Sequence, residues 1–187
     1  MECMTFLIIG VALFCGIHLL PAASNLRQAL IAPLGENGYK GLFSVIALAG
    51  IVFMVIGYPR VELNQIYTPP LWGRTATAVL MLPSLILFAA ANMPGNVKRL
   101  TRHPMLWGLV LWATGHLLAN GDMASVILFG GFVTYGLLAM AFANLRGVAK
   151  QTDKYPLAKD IMIIAAGTIV YVVLVFAHPY LFGVAVR

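Results

Sequence analysis

The chain has 187 residues, of which 61% are hydrophobic and 10% charged, with a formal net charge of +6. Soluble domains carry roughly 25% charged residues. That deficit, with a mean hydropathy of +0.91, excludes a soluble globular domain and defines an integral membrane protein. The positive charge is not a nucleic-acid signal, because the basic residues sit in short loops between apolar runs, where they orient the chain and meet anionic lipid.

Six apolar segments follow one another at about 4–21, 41–58, 74–91, 105–120, 123–144 and 161–182, most with the ~20 residues that a spanning helix needs. The fourth, at about 16 residues, is short for a span. Alternating strands of about 10 residues are absent, so the expected fold is all-α, a polytopic bundle of about six transmembrane helices. The whole chain, 1–187, reads as one integral membrane domain.

The first segment begins without Lys or Arg, carries only Glu2, and is read as a retained helix rather than a leader. It holds both cysteines, Cys3 and Cys15. On one helix these stand about 18 Å apart at ~1.5 Å per residue and cannot pair. With no CxxC or CxxCH in the chain, a thiol redox pair, a thiolate zinc site and covalently attached haem are all disfavoured. Pro21 to Lys40 has two readings. It is an interfacial amphipathic helix, with Leu26, Leu30, Ile31 and Leu34 beside Arg27, Gln28 and Glu36, or it continues the first helix past Pro21.

Nine Lys and Arg lie in the first, third and fifth loops: Arg27, Lys40, Lys98, Arg99, Arg102, Arg146, Lys150, Lys154 and Lys159. Three lie elsewhere, Arg60, Arg74 and Arg187. The positive-inside rule then puts both termini outside and the odd loops in the cytoplasm. Asn120-Gly121-Asp122 is a tight turn that predicts an antiparallel hairpin of helices four and five.

Four histidines carry the chemistry. His18 is either a helix-end histidine bonded to a carbonyl or a ligand. His103, in Lys98-Arg99-Leu100-Thr101-Arg102-His103-Pro104, belongs to an orienting basic cluster or to an anion or headgroup site. His116 lies inside an apolar run, where an unpartnered imidazole is costly. It bonds a neighbouring helix or serves as a ligand, with Trp112 and Asn120 one turn away on the same face. His178 is a hydrated helix-end residue. His103 and His116 stand about 20 Å apart on a straight helix and cannot share one iron. His18 can meet His116 only if it lies toward mid-membrane, which its helix's extension past Pro21 would allow. The carboxylates all sit in loops or termini, and no phosphate loop, nucleophile elbow or HExxH occurs.

Several motifs together resemble the NnrU family, which includes bacterial NnrU proteins and the 15-cis-zeta-carotene isomerases. They are His18-Leu19 with Pro21, Leu34-Gly35-Glu36 with Tyr39, Pro69-Pro70-Leu71-Trp72-Gly73-Arg74, Met81-Leu82-Pro83, Met93-Pro94-Gly95, Arg102-His103-Pro104, and His116-Leu117-Leu118-Ala119-Asn120-Gly121-Asp122. The resemblance spans about residues 1–145 and is weakest over the sixth helix. In the isomerase branch it implies non-covalent haem b held by two histidines, with a redox-dependent ligand change and a lipophilic substrate. Carried over, His116 matches one ligand and His18 the other. The cysteine that serves that branch as alternative ligand is Ala113 here, so the ligand change is not carried with it. The bacterial branch implies a denitrification or nitric-oxide-related role, catalytic or as a membrane accessory subunit. For such a haem, Trp112 and Phe14 are packing candidates, and Arg27, Arg74 and Arg102 are candidates to meet the propionates. A separate pattern, Arg102, His103, Pro104 and Gly108, resembles the cofactor-binding start of isoprenylcysteine-type methyltransferases. The acidic pair that follows there has no counterpart in residues 123–145.

Overall fold

The computed structural model describes residues 2–60, 64–184 and 186. Glu62 and Arg187 lie outside these residues, as do the side chains of Glu2 and Arg60. The fold is all-helical: α1 (Glu2–Leu19), α2 (Ser24–Gly57), α3 (Gly73–Asn92), α4 (Pro104–Ala119), α5 (Met123–Leu145) and α6 (Leu157–Phe182). Short 3-10 turns cover Leu20–Ala22, Tyr58–Arg60 and Asn96–Arg99. Five of the helices are long and apolar enough to cross a membrane, and α4 is a shorter apolar helix of 16 residues. All six expected segments are present.

The Pro21 region resolves as follows. α1 stops at Leu19, a 3-10 turn carries Pro21, and a new helix starts at Ser24. The expectation that the first helix runs on past Pro21 is overturned, because proline supplies no N–H to continue the ladder. The new helix is itself broken at Gly35, whose φ of 69° and ψ of 168° only glycine adopts readily, two residues after Pro33. Ser24–Leu34 is thus a separate helical piece, and the apolar span follows the kink.

The chain divides into two compact units, Met1–Thr68 with Asn120–Phe142, and Pro69–Ala119 with Ala143–Arg187. The sequence predicts a hairpin of helices four and five. α4 falls in the second unit, and α5 up to Phe142 in the first.

In the first unit α1 and α2 pack backbone to backbone. A Cβ on Gly57 would stand 2.6 Å from the Leu7 nitrogen, and one on Gly10 would stand 2.7 Å from that of Met54. Small residues permit such approach, which is how apolar helices gain packing where lipid competes equally for apolar contact. Val11 of α1 fills the space over Gly131 of α5, and Phe14 meets Phe132 edge-on at 5.7 Å. The Asn120-Gly121-Asp122 turn is tied to the loop after α2. Ile66 N–H donates to Gly121 O at 2.8 Å, Met123 N–H to Asn64 O at 2.8 Å, and the Tyr67 hydroxyl to Asn120 O at 2.9 Å. Asp122 caps α5, accepting from Ser125 N–H at 2.9 Å and from the Ser125 hydroxyl at 2.7 Å.

In the second unit α3 packs on α4 through Gly108 and Gly115, and on α6 through Gly167. The buried Ser84 hydroxyl donates across to Gly108 O at 2.7 Å, and that of Thr77 to Gly115 O at 2.6 Å. Asn96 ties the loop before α4 to the loop before α6. Its side-chain amide donates to Tyr155 O and to the Asp160 carboxylate, and its Oδ1 accepts from Tyr155 N–H.

Candidate functional site

The four histidines separate by what their ring nitrogens do. His18 lies in the last turn of α1, with Nδ1 2.7 Å from the carbonyl oxygen of Phe14. A carbonyl only accepts, so Nδ1 carries a proton here, and Nε2 is the ring nitrogen left on the far side. His116 repeats the arrangement in the last turn of α4, with Nδ1 2.8 Å from Trp112 O. In both, a histidine at position i turns its ring back onto the carbonyl at i−4. This is the outer-shell bond that ordinarily fixes a metal-ligating imidazole.

The other two are used differently. His103 Nε2 stands 2.9 Å from Asn144 Oδ1, and its backbone N–H donates to the Thr101 hydroxyl at 3.2 Å, so the ring ties the start of α4 to the end of α5. His178 Nδ1 stands 2.7 Å from Val184 O just beyond α6. That leaves it closing a helix end, as the sequence suggests.

His18 sits in an aromatic cage. Phe14 stacks on it at 4.1 Å, Phe43 meets it edge-on at 4.9 Å and Tyr135 does so at 6.1 Å. The sequence singles out only Phe14. Phe43 and Tyr135 belong to α2 and α5, and no local pattern marks them. Although His18 ends its own helix, Tyr135 is the thirteenth of the 23 residues of α5. The imidazole therefore stands beside the middle of that span, about 18 Å from its start at ~1.5 Å per residue. His116 belongs to the second unit, where Trp112 contacts it at 4.9 Å between ring centres.

The basic candidates lie as follows. Arg27 is half-buried in the first unit, 3.3 Å from Glu36 and with its guanidinium 5.5 Å from the Tyr39 ring centre. Arg74 is exposed at the start of α3, next to Gly73, which packs against the Leu118 carbonyl two residues beyond His116. Arg102 is exposed before α4, 14 residues from His116, and so about 21 Å from it along the helix. Ala113 is fully buried. Gly108, the last residue of the methyltransferase-like pattern, is used in packing: a Cβ there would stand 3.0 Å from Ser84 O.

Among the described residues no three His, Cys, Asp or Glu side chains gather into a metal cluster, and both cysteines are unpaired thiols. A haem asks for no such cluster, since the porphyrin supplies four of the iron's ligands and the protein only the axial ones.

Fold and composition together define a multi-pass, all-helical membrane protein. The family model described as NnrU protein matches residues 6–186, so the chain belongs to the NnrU family. The match runs through α6 and extends the resemblance well past residue 145. No curated protein and no solved structure matches the chain.

Proposed function

We propose that this NnrU-family protein binds haem b within the membrane, with His18 and His116 as its axial-ligand candidates. One observation carries the reading. Each ring commits Nδ1–H to the carbonyl one turn before it, the outer-shell bond that commonly fixes a ligating imidazole. The surroundings of His18 fit a flat apolar cofactor, because three aromatic rings contact the imidazole. Trp112 supplies an apolar surface beside His116. Arg27, Arg74 and Arg102 are the candidates to meet its propionates.

When bound, the haem would supply a redox-active iron, which His18 and His116 would hold. The chain's own residues do the rest. The Phe14 and Trp112 carbonyls orient each imidazole, and Phe14, Phe43 and Tyr135 surround His18 with apolar surface. A lipophilic substrate or a nitrogen oxide are the reactants such a site would meet.

The test is an absorption spectrum of protein purified from haem-supplied cells, with and without dithionite. A Soret band is expected, lost or shifted in His18→Ala and in His116→Ala. A colourless wild-type protein ends the reading. Co-purification of that colourless protein with a nitrite or nitric-oxide reductase would instead mark an accessory subunit.

A further inference from the structure

We propose that the elbow between α1 and α2 is an oxyanion site, taking the carboxylate or phosphate of an amphiphile. A hollow of 260 Å³ there is lined by Pro21, Arg27, Tyr39, Lys40, Phe43 and Ser44. Its polar lining is a guanidinium, an ammonium and two hydroxyls, with no carboxylate among them. The nearby acid, Glu36, is held by Arg27 at 3.3 Å. Lys40 makes no ion pair among the described residues.

Tyr39 is the second, independent observation. It is only 6% exposed, and its buried hydroxyl has no hydrogen-bond partner among the described residues. A buried hydroxyl without a partner is costly, and an oxygen anion beside it supplies the acceptor it lacks. The cations at the same hollow supply charge-assisted donors. Pro21 and Phe43 give the apolar part of the wall. A volume below the 300–1,000 Å³ typical of whole-ligand pockets suits a headgroup whose apolar body lies elsewhere.

Two sources carry this chemistry, an anionic lipid headgroup and a haem propionate. The second rests on the haem reading; the first does not.

The experiment compares wild type, Tyr39→Phe, Lys40→Gln and the control Lys150→Gln, a lysine that does not line the hollow, all reconstituted in phosphatidylcholine nanodiscs. One arm adds phosphatidylglycerol and reads the thermal midpoint by tryptophan fluorescence. The other titrates hemin and its dimethyl ester and reads the Soret band. A lipid source raises the wild-type midpoint with phosphatidylglycerol, and Tyr39→Phe and Lys40→Gln lose that rise while Lys150→Gln keeps it. A propionate source makes wild type bind hemin about tenfold more tightly than the ester, about 1.4 kcal/mol, and the same two variants lose the preference. If wild type shows neither effect, or both variants retain whatever it shows, the proposal is overturned. Absence of any Soret band ends the haem reading alone, and the phosphatidylglycerol arm then decides this one.

Discussion

Asp122 offers the sharpest test of how the Asn120-Gly121-Asp122 motif works. Its two oxygens do separate jobs, Oδ1 on the Ser125 backbone N–H at 2.9 Å and Oδ2 on the Ser125 hydroxyl at 2.7 Å. Ser125 is fully buried, and its hydroxyl also lies 2.9 Å from that of Tyr58. Asp122→Ala removes a helix cap, a loss of about 1 kcal/mol. It also removes a hydrogen bond to a charged acceptor, another ~1.5–3 kcal/mol. The expected sum is roughly 2–4 kcal/mol, read as a lowered midpoint of tryptophan-monitored unfolding in detergent. Asp122→Asn retains a capping oxygen and an acceptor for the hydroxyl, so it should recover at least the cap, about 1 kcal/mol. Combining Asp122→Ala with Ser125→Ala in a double-mutant cycle should show a coupling of at least ~1 kcal/mol, since the residues are in contact. An Asp122→Ala protein within ~0.5 kcal/mol of wild type, the range of an ordinary surface change, would refute the reasoning. On this account the most specific stretch of the chain joins a histidine to a structural clasp.

Ser84→Ala removes the buried bond to Gly108 O and should cost about 0.6 kcal/mol, the typical value for hydrogen bonds between membrane helices; the same unfolding assay reads it. Asn96→Ala releases the loop before α6 from its bonds to Asn96. Limited trypsinolysis in detergent should then cut faster at Lys150 and Lys154 than in wild type. Burial first, and then the Asp122 carboxylate, push the Tyr67 phenol above its ordinary value. Tyr58 is also raised, again mainly by burial. A folded-state pKa above the unfolded one of about 10 gives stability that is complete below that pH and lost as pH rises through the folded value. Alkaline titration at the tyrosinate absorbance should therefore show Tyr58 and Tyr67 ionising late, identified by Tyr58→Phe and Tyr67→Phe, with the unfolding midpoint falling above about pH 10.

The spans were legible because long apolar runs leave the backbone no other way to satisfy its hydrogen bonds in lipid. Their start and stop signals were local as well, with Pro104 opening α4, Asp122 capping α5 and Pro21 ending α1. What the sequence did not show is which helices pair. α3 packs on α4 through Gly108 and Gly115, and no local pattern announces that pairing. Short loops constrain chain neighbours, whereas backbone approach is set by where small residues on two helices coincide. The candidate site was half legible for the same reason. A lone histidine in an apolar run is visible in one dimension, but Phe43 and Tyr135 join His18 only through packing. Tyr39 passes for an ordinary interfacial tyrosine until its hydroxyl is found buried and unbonded.

Depth is where reading one helix at a time misleads. His18 stands one residue from the end of α1, and a spanning helix that ends there ought to leave it near a membrane surface. The packing says otherwise. Leu7 lies against Gly57 and Phe14 against Gly50, so α1 descends antiparallel to α2 and its last turn is level with Phe43. Beside it α5 has reached only Tyr135, with ten residues still to run. α1 thus stops short of the full thickness that α5 crosses, and the 3-10 turn at Leu20–Ala22 and the helix from Ser24 follow at that level. A helix that ends early leaves room beneath its last turn, and it is lined here by Arg27, Tyr39 and Lys40. Pro21 therefore has a structural consequence. By ending α1 it sets the imidazole beside the middle of a neighbouring span, with the cations of the next helix close below the aromatic cage.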